Sequence, residues 1–327
     1  MHLHDLFLIL MTLKPQTTAL LFPGQGSQLL GMGKELSQTE VIAREIFTRA
    51  DEILGYSLSD LCWEGPAEEL NDTLNTQPAL LVHSTAVHRV LQSQYPKFIP
   101  AFTAGHSLGE ISALVAAESL SFEDAVILVR ERGAAMQHAG KLHPGGMAAV
   151  LGLTIEQVEK ACELASSGVA GGVWVANDNC PGQIVISGDI DALTNVMDKL
   201  PGLGARKVVR LAVSIPAHSP RMIPAQEQFN RALSLTPFEK PQIPIIGNGN
   251  ALPLSTEEAV VKDLGAQLTV RVRWTETIRY LIGAGVETFV EVGSGKVLTA
   301  LLKRIDRNVT GFALDTPDSF GPLKGIE

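Results

Sequence analysis

The sequence predicts an α/β protein of two lobes, a large one with a mostly parallel sheet under helices and a small one inserted into it. Three observations predict this. Apolar stretches of strand length alternate with longer stretches of helical periodicity, the pattern of parallel strands joined by crossover helices. Residues 147–213 run strand, helix, strand, strand, helix, strand, which is the ferredoxin-like supersecondary order. The chain of 327 residues exceeds one typical core, and its 45% hydrophobic content is enough to fill a large one.

The elements follow in order. Residues 18–22 read as a buried strand, followed by the loop Pro23-Gly-Gln-Gly-Ser-Gln28. Helical patterns cover 41–54 and 77–92. Residues 98–104 read as the next strand, and 108–118 as a helix apolar on nearly every side, hence buried. Between these two, Gly105, Ser107 and Gly109 fit G-x-S-x-G, a sharp strand-to-helix turn that exposes a serine oxygen. A further helix opens at Ser121-Phe-Glu-Asp124, a capping box with Asp in place of Glu or Gln. The character changes near His143-Pro-Gly-Gly146. A strand over 147–153, a helix over 154–165, strands over 172–176 and 183–187, a helix over 190–200 and a strand over 206–213 make the small lobe. The boundaries are therefore an N-terminal extension over 1–17, a large subdomain over 18–143 and 214–327, and a small subdomain over 144–213.

Residues 6–13 form an apolar run, but the five residues before it contain Asp5 and no Lys or Arg, and Lys14-Pro15 follows. A secretory signal needs a basic leading region and a small-residue cleavage site. The reading is a loosely ordered extension from a start codon upstream of Met11, with a weak signal anchor as the alternative. No run approaches the ~20 apolar residues that cross a bilayer. A net charge of −9 argues against a general nucleic-acid binder. Cys62, Cys162 and Cys180 are widely spaced with no C-x-x-C partner, which suits a reducing, cytoplasmic setting and neither a disulfide framework nor a thiolate zinc site.

A nucleophilic serine needs a base, and the chain has eight histidines. His2 and His4 lie in the extension, and His83 and His88 fall within a helix. His106 adjoins Ser107, and neighbours on an extended backbone point to opposite sides. His218 sits in Ile215-Pro-Ala-His-Ser-Pro220, a proline-bounded turn where the chain leaves the small lobe, suited to hold an imidazole across a cleft. A purely structural turn histidine is the alternative. On the helix opened by Ser121, the apolar stripe runs Ala125, Leu128, Val129, Arg132, Ala135, Met136, which puts Arg132 on the buried face. A buried guanidinium stays charged and needs an anion. Either an internal Asp or Glu or a substrate carboxylate would serve.

Several motifs occur in a fixed order: Phe22-Pro-Gly-Gln-Gly-Ser-Gln28, Gly105-His-Ser-Leu-Gly-Glu110, Arg132-Gly133, Gly145-Gly-Met-Ala-Ala149, Asn179-Cys-Pro-Gly-Gln183, Pro216-Ala-His218 and Glu291-Val-Gly-Ser-Gly-Lys296. Over residues 18–305 the chain resembles the malonyl-CoA:acyl carrier protein transacylases of bacterial fatty-acid synthesis. The resemblance implies an α/β-hydrolase-like large subdomain with an inserted ferredoxin-like small subdomain, and an active site between them. It implies Ser107 as nucleophile, His218 as base, the backbone N–H groups of Gln25 and Leu108 as oxyanion hole, and Arg132 as the malonyl carboxylate site. It also implies that the main-chain carbonyl of Gln267 orients the histidine, and that Asn179 and Gln183 face the cleft. Malonyl-CoA and acyl carrier protein are the implied partners, with no metal or redox cofactor, no nucleic acid, no membrane, and a monomeric state.

Two departures from the family pattern stand out. Ala217 precedes the histidine where serine is common, and Gly247-Asn-Gly249 replaces an asparagine-valine segment, from which a looser loop is expected. These leave methylmalonyl open as a donor. An acidic chain serving an acidic carrier needs a local basic face, for which Arg206, Lys207, Arg271, Arg273 and Lys296 are candidates. A trans-acting acyltransferase or acyl hydrolase of a polyketide pathway would use the same machinery. A plain α/β-hydrolase esterase is disfavoured, because its histidine comes late and the final 109 residues here contain none.

Overall fold

The computed structural model describes residues 11–166 and 171–326. Its strands are β1 (Met11–Leu13), β2 (Thr18–Phe22), β3 (Phe102–Gly105), β4 (Gly145–Leu151), β5 (Val173–Cys180), β6 (Gln183–Asp189), β7 (Lys207–Arg210), β8 (Ile245–Ile246), β9 (Pro253–Leu254), β10 (Thr288–Val292), β11 (Thr310–Leu314) and β12 (Leu323–Ile326). The larger sheet has the order β11-β10-β2-β3-β8-β9, parallel from β11 through β8, with β9 antiparallel at the edge. Every residue of β2 is buried, as a central strand with helices on both faces requires. Its side chains alternate between two cores. Leu20 and Phe22 join the helices Val41–Leu54, Thr73–Gln94 and Phe122–Leu142, while Ala19 and Leu21 pack with Trp274, Ile278 and Leu298.

The inserted lobe is a four-stranded antiparallel sheet of order β5-β6-β4-β7, with the helices Ile155–Ser166 and Ile190–Lys199 packed on it. This is the ferredoxin-like arrangement expected. β5 runs four residues beyond the expected strand over 172–176, with irregular pairing near Asn177 and Cys180. Its far half turns to the large lobe: Val272 N–H donates to Ala176 O, and Asp178 N–H donates to Val272 O, both at 2.9 Å. Main-chain hydrogen bonds thus join the two lobes.

One expectation needs correcting. Residues 1–10 lie outside the described residues, but 11–17 are not a loose extension. β1 pairs in parallel with β12, and Pro15–Thr17 forms a 3₁₀ turn leading into β2. A pairing between segments some 300 residues apart leaves no local signal. Among the described residues, no helix is long and apolar enough to cross a membrane.

Candidate active site

The turn at Ser107 is built from steric exclusion. β3 ends at Gly105, Ser107 takes a left-handed φ of 53°, and the helix Gly109–Ala116 begins two residues later. A Cβ on Gly105 would strike the Gly109 carbonyl, and one on Gly109 would strike the carbonyl of Phe22. Only glycine lets β2, β3 and the helix approach this closely. Holding a serine in the left-handed region costs about 1–3 kcal/mol, a strain that persists where surrounding structure enforces it. Here Asn248 enforces it: its Oδ1 accepts the Ser107 N–H at 2.7 Å, and its Nδ2 donates to Gly105 O at 2.8 Å.

His218 comes from the proline-bounded turn after the small lobe, also with a left-handed φ, of 56°. Ser219 braces that turn by donating to Pro216 O at 2.6 Å. The imidazole Nε2 lies 2.8 Å from Ser107 Oγ, and Nδ1 lies 3.0 Å from Gln267 O and 3.2 Å from Val270 O. Carbonyls only accept, so Nδ1 carries the proton and Nε2 is left to accept from the serine. Burial lowers the His218 pKa to about 3, with the Arg132 and His106 charges acting in the same direction. The imidazole is therefore neutral near pH 7, the form that accepts a proton.

Arg132 is 1% exposed. The first expected partner, an internal carboxylate, is not bound directly. Its hydrogen bonds go to Gln77 Oε1 at 2.8 Å, Gln267 Oε1 at 2.8 and 3.2 Å, Met136 Sδ at 3.4 Å and Ser107 Oγ at 3.1 Å. All are neutral. Burial lowers its pKa to about 10, which leaves it charged at neutral pH. A charged guanidinium with no counter-ion in contact, 3.1 Å from a serine oxygen, has the chemistry to take up an anionic group at that oxygen.

A cavity of about 190 Å³ between the lobes is lined by Gln25, Ser107, Leu108 and Arg132 from the large lobe and by Asn179 and Gln183 from the small one. The N–H groups of Gln25 and Leu108 have no acceptor among the described residues, whereas the Ser107 N–H is committed to Asn248. The Gln25 side chain donates to Thr73 Oγ1 at 3.1 Å, which fixes the loop after β2. Ser294 Oγ adds a brace, donating to Ser27 O at 2.7 Å. Asn179 Oδ1 accepts from His106 Nε2 at 2.8 Å, so the neighbouring histidine is turned away from the serine, and Gln183 accepts from Arg304 at the cavity mouth.

Sequence reasoning missed Asn248, Gln77 and the side chain of Gln267. The segment Gly247-Asn-Gly249, where a looser loop is expected, is instead tied down: Asn248 is 3% exposed, and its carbonyl accepts from Arg273 N–H at 3.0 Å. Of the candidate basic face, Arg271 and Arg273 are paired with Glu159 and Glu276 at 2.6 and 2.8 Å. Arg206, Lys207 and Lys296 are exposed and form no ion pair among the described residues.

A strained serine, a neutral imidazole and two idle N–H groups around a small cavity define an acyl-transferring class of enzyme. In agreement, the family model described as an acyl transferase domain matches residues 19–314. A malonyl CoA-acyl carrier protein transacylase of Bacillus subtilis (strain 168) is 44% identical over 92% of this chain and 94% of its own length. One from Escherichia coli (strain K12) is 43% identical over 92% and 96%. The crystal structure of a malonyl-CoA:acyl carrier protein transacylase from Xanthomonas oryzae pv. oryzae superposes with a TM-score of 0.90 at 43% identity, covering 94% of this chain and 98% of that one. The chain belongs to the malonyl-CoA:acyl carrier protein transacylase family.

Proposed function

We propose that this enzyme moves a malonyl group from malonyl-CoA to the phosphopantetheine thiol of acyl carrier protein through a malonyl ester on Ser107, supplying fatty-acid synthesis in the cytoplasm. The observation that carries the reading is the buried Arg132, bound only to neutral partners and 3.1 Å from Ser107 Oγ. An acetyl donor would leave that charge unanswered, whereas a malonyl carboxylate supplies its counter-ion.

The steps follow from the geometry. His218 Nε2 takes the Ser107 proton as Oγ attacks the thioester carbon, and the oxyanion settles on the Gln25 and Leu108 N–H groups. The C–S bond breaks, and the coenzyme A sulfur leaves with the proton returned by His218. The carrier thiol then gives its proton to His218 and attacks the ester, and Ser107 Oγ recovers the proton as the thioester departs. This is ping-pong acyl transfer. The carbonyls of Gln267 and Val270 hold the ring in one tautomer throughout, in the place where an acid would complete a triad. Lys296, exposed beside the cavity-lining Val297, and the exposed Arg206 and Lys207 offer positive charge to an acidic carrier.

Ser107→Ala tests the reading. Intact-mass measurement after mixing with malonyl-CoA should show one added malonyl group on the wild-type protein and none on the variant. Equal labelling of both would remove Ser107 as the nucleophile.

A further inference from the structure

Behind the nucleophile lies a pair of buried carboxyl groups that the transfer steps do not use. Glu110, in the first turn of the helix after Ser107, is fully buried, and its Oε2 accepts from Gln267 Nε2 at 2.6 Å. Its other oxygen, Oε1, and Asp263 Oδ2 are both buried, neither has a hydrogen-bond donor among the described residues, and the two carboxyl groups are neighbours. Two carboxylates cannot both stay ionised at hydrogen-bond distance in a buried site. Asp263 lies against the Gly247–Gly249 loop, whose Asn248 and Gly249 N–H groups favour its ionised form, so a single proton on the pair belongs on Glu110. Burial and the Asp263 carboxyl push the Glu110 pKa well above the ordinary carboxylate range.

We propose that Glu110, hydrogen-bonded through its proton to Asp263, is a positioning residue that fixes which way the Gln267 amide faces and thereby aims Arg132 at the acyl site. The constraint is one of donors and acceptors. Gln267 Nε2 meets two acceptors, Glu110 Oε2 at 2.6 Å and Ser107 O at 3.2 Å, so its amide oxygen must face Arg132. A flipped amide would set two N–H donors against a guanidinium that only donates. The same residue's carbonyl receives His218 Nδ1, so the base and the anion clamp hang from one glutamine. Asp263 extends the support to the elbow, because it packs against Gly247 and Gly249, which flank the Asn248 that spans Ser107 N and Gly105 O.

This rests on the malonyl-transfer reading and is tested so that the two can fail separately. Glu110→Gln keeps an acceptor for Gln267 and a donor for Asp263, so donor selectivity should stay close to wild type. Glu110→Ala removes the amide's anchor, and malonyl-over-acetyl selectivity in kcat/KM should fall by about tenfold, the size of one lost buried hydrogen bond. A folded Glu110→Ala enzyme with wild-type selectivity overturns the proposal. So does a Glu110→Gln enzyme as impaired as Glu110→Ala, which would mean that Glu110 acts as an ionised counter-ion of Arg132. Should Glu110→Ala fail to fold, infrared spectroscopy of the full chain decides together with Glu110→Gln. A protonated-carboxyl band in the wild type that Glu110→Gln loses, with selectivity kept, supports the proposal; a missing band or lost selectivity overturns it. Malonylation of Ser107 in the wild type reads the transfer reading independently of all these outcomes.

Discussion

Replacing Arg132 by alanine separates donor recognition from acyl chemistry. Each charge-assisted hydrogen bond to a bound carboxylate contributes about 1.5–3 kcal/mol, so kcat/KM for malonyl-CoA should fall about 10- to 150-fold. The acetyl donor should behave differently. With acetyl bound, Arg132 keeps an uncompensated charge beside Ser107 Oγ, and that charge opposes the imidazolium that His218 must become. Removing it relieves the base, so acetyl transfer should hold steady or rise. The substitution also strips Gln77 Oε1 and Gln267 Oε1 of their donor, at about 1–3 kcal/mol of folding stability for each acceptor left unpaired. The assay is single-turnover acylation of Ser107 with malonyl-CoA and acetyl-CoA, alongside a denaturant melt. A parallel loss with both donors in a folded variant would refute the clamp and leave Arg132 a structural residue.

Other expectations can be checked alongside. His218→Ala should slow acylation by about 10²–10⁴-fold, and near-normal single-turnover rates would point to another base. His218→Gln should also change the acid sensitivity of folding. The buried imidazole titrates at about 3 in the folded chain and near ~6.5 unfolded, so the unfolded state binds the extra proton between those values. Stability is full above about pH 6.5 and falls as pH drops toward 3, by up to ~1.4 kcal/mol per pH unit for this group. Denaturant melts at pH 7 and 5 should show a shallower loss in the variant, and an unchanged slope would contradict the burial argument. Gly109→Ala forces a methyl into the Phe22 carbonyl and should cost at least ~1–3 kcal/mol in the melt; an unperturbed variant would mean that the elbow is looser than described.

What the sequence revealed depended on the kind of signal. The elbow was legible because glycine at two fixed positions is a steric statement about backbone approach, and the buried guanidinium because a charge in an apolar stripe breaks a period. The ferredoxin-like lobe was legible because its strands and helices alternate within about 70 residues. Asn248, Gln77 and the Gln267 side chain carried no such mark. They are neutral amides whose partners lie 55 to 160 residues away, at Arg132, Ser107 and Gly105. β1 escaped for the same reason, since its strand partner among the described residues, β12, lies some 300 residues away.

The stitch between Val272 and β5 bears on how the enzyme chooses its acyl group. It lies two residues beyond Val270, one of the two carbonyls that steady the imidazole. Hinging the small lobe outward would pull on the anchor of His218, the proposed base, so a wide swing would displace that imidazole. That coupling predicts that selection among short acyl chains falls to the static shape and charge of the crevice, and that reshaping side chains such as Met147 or Val185 on its walls alters size tolerance.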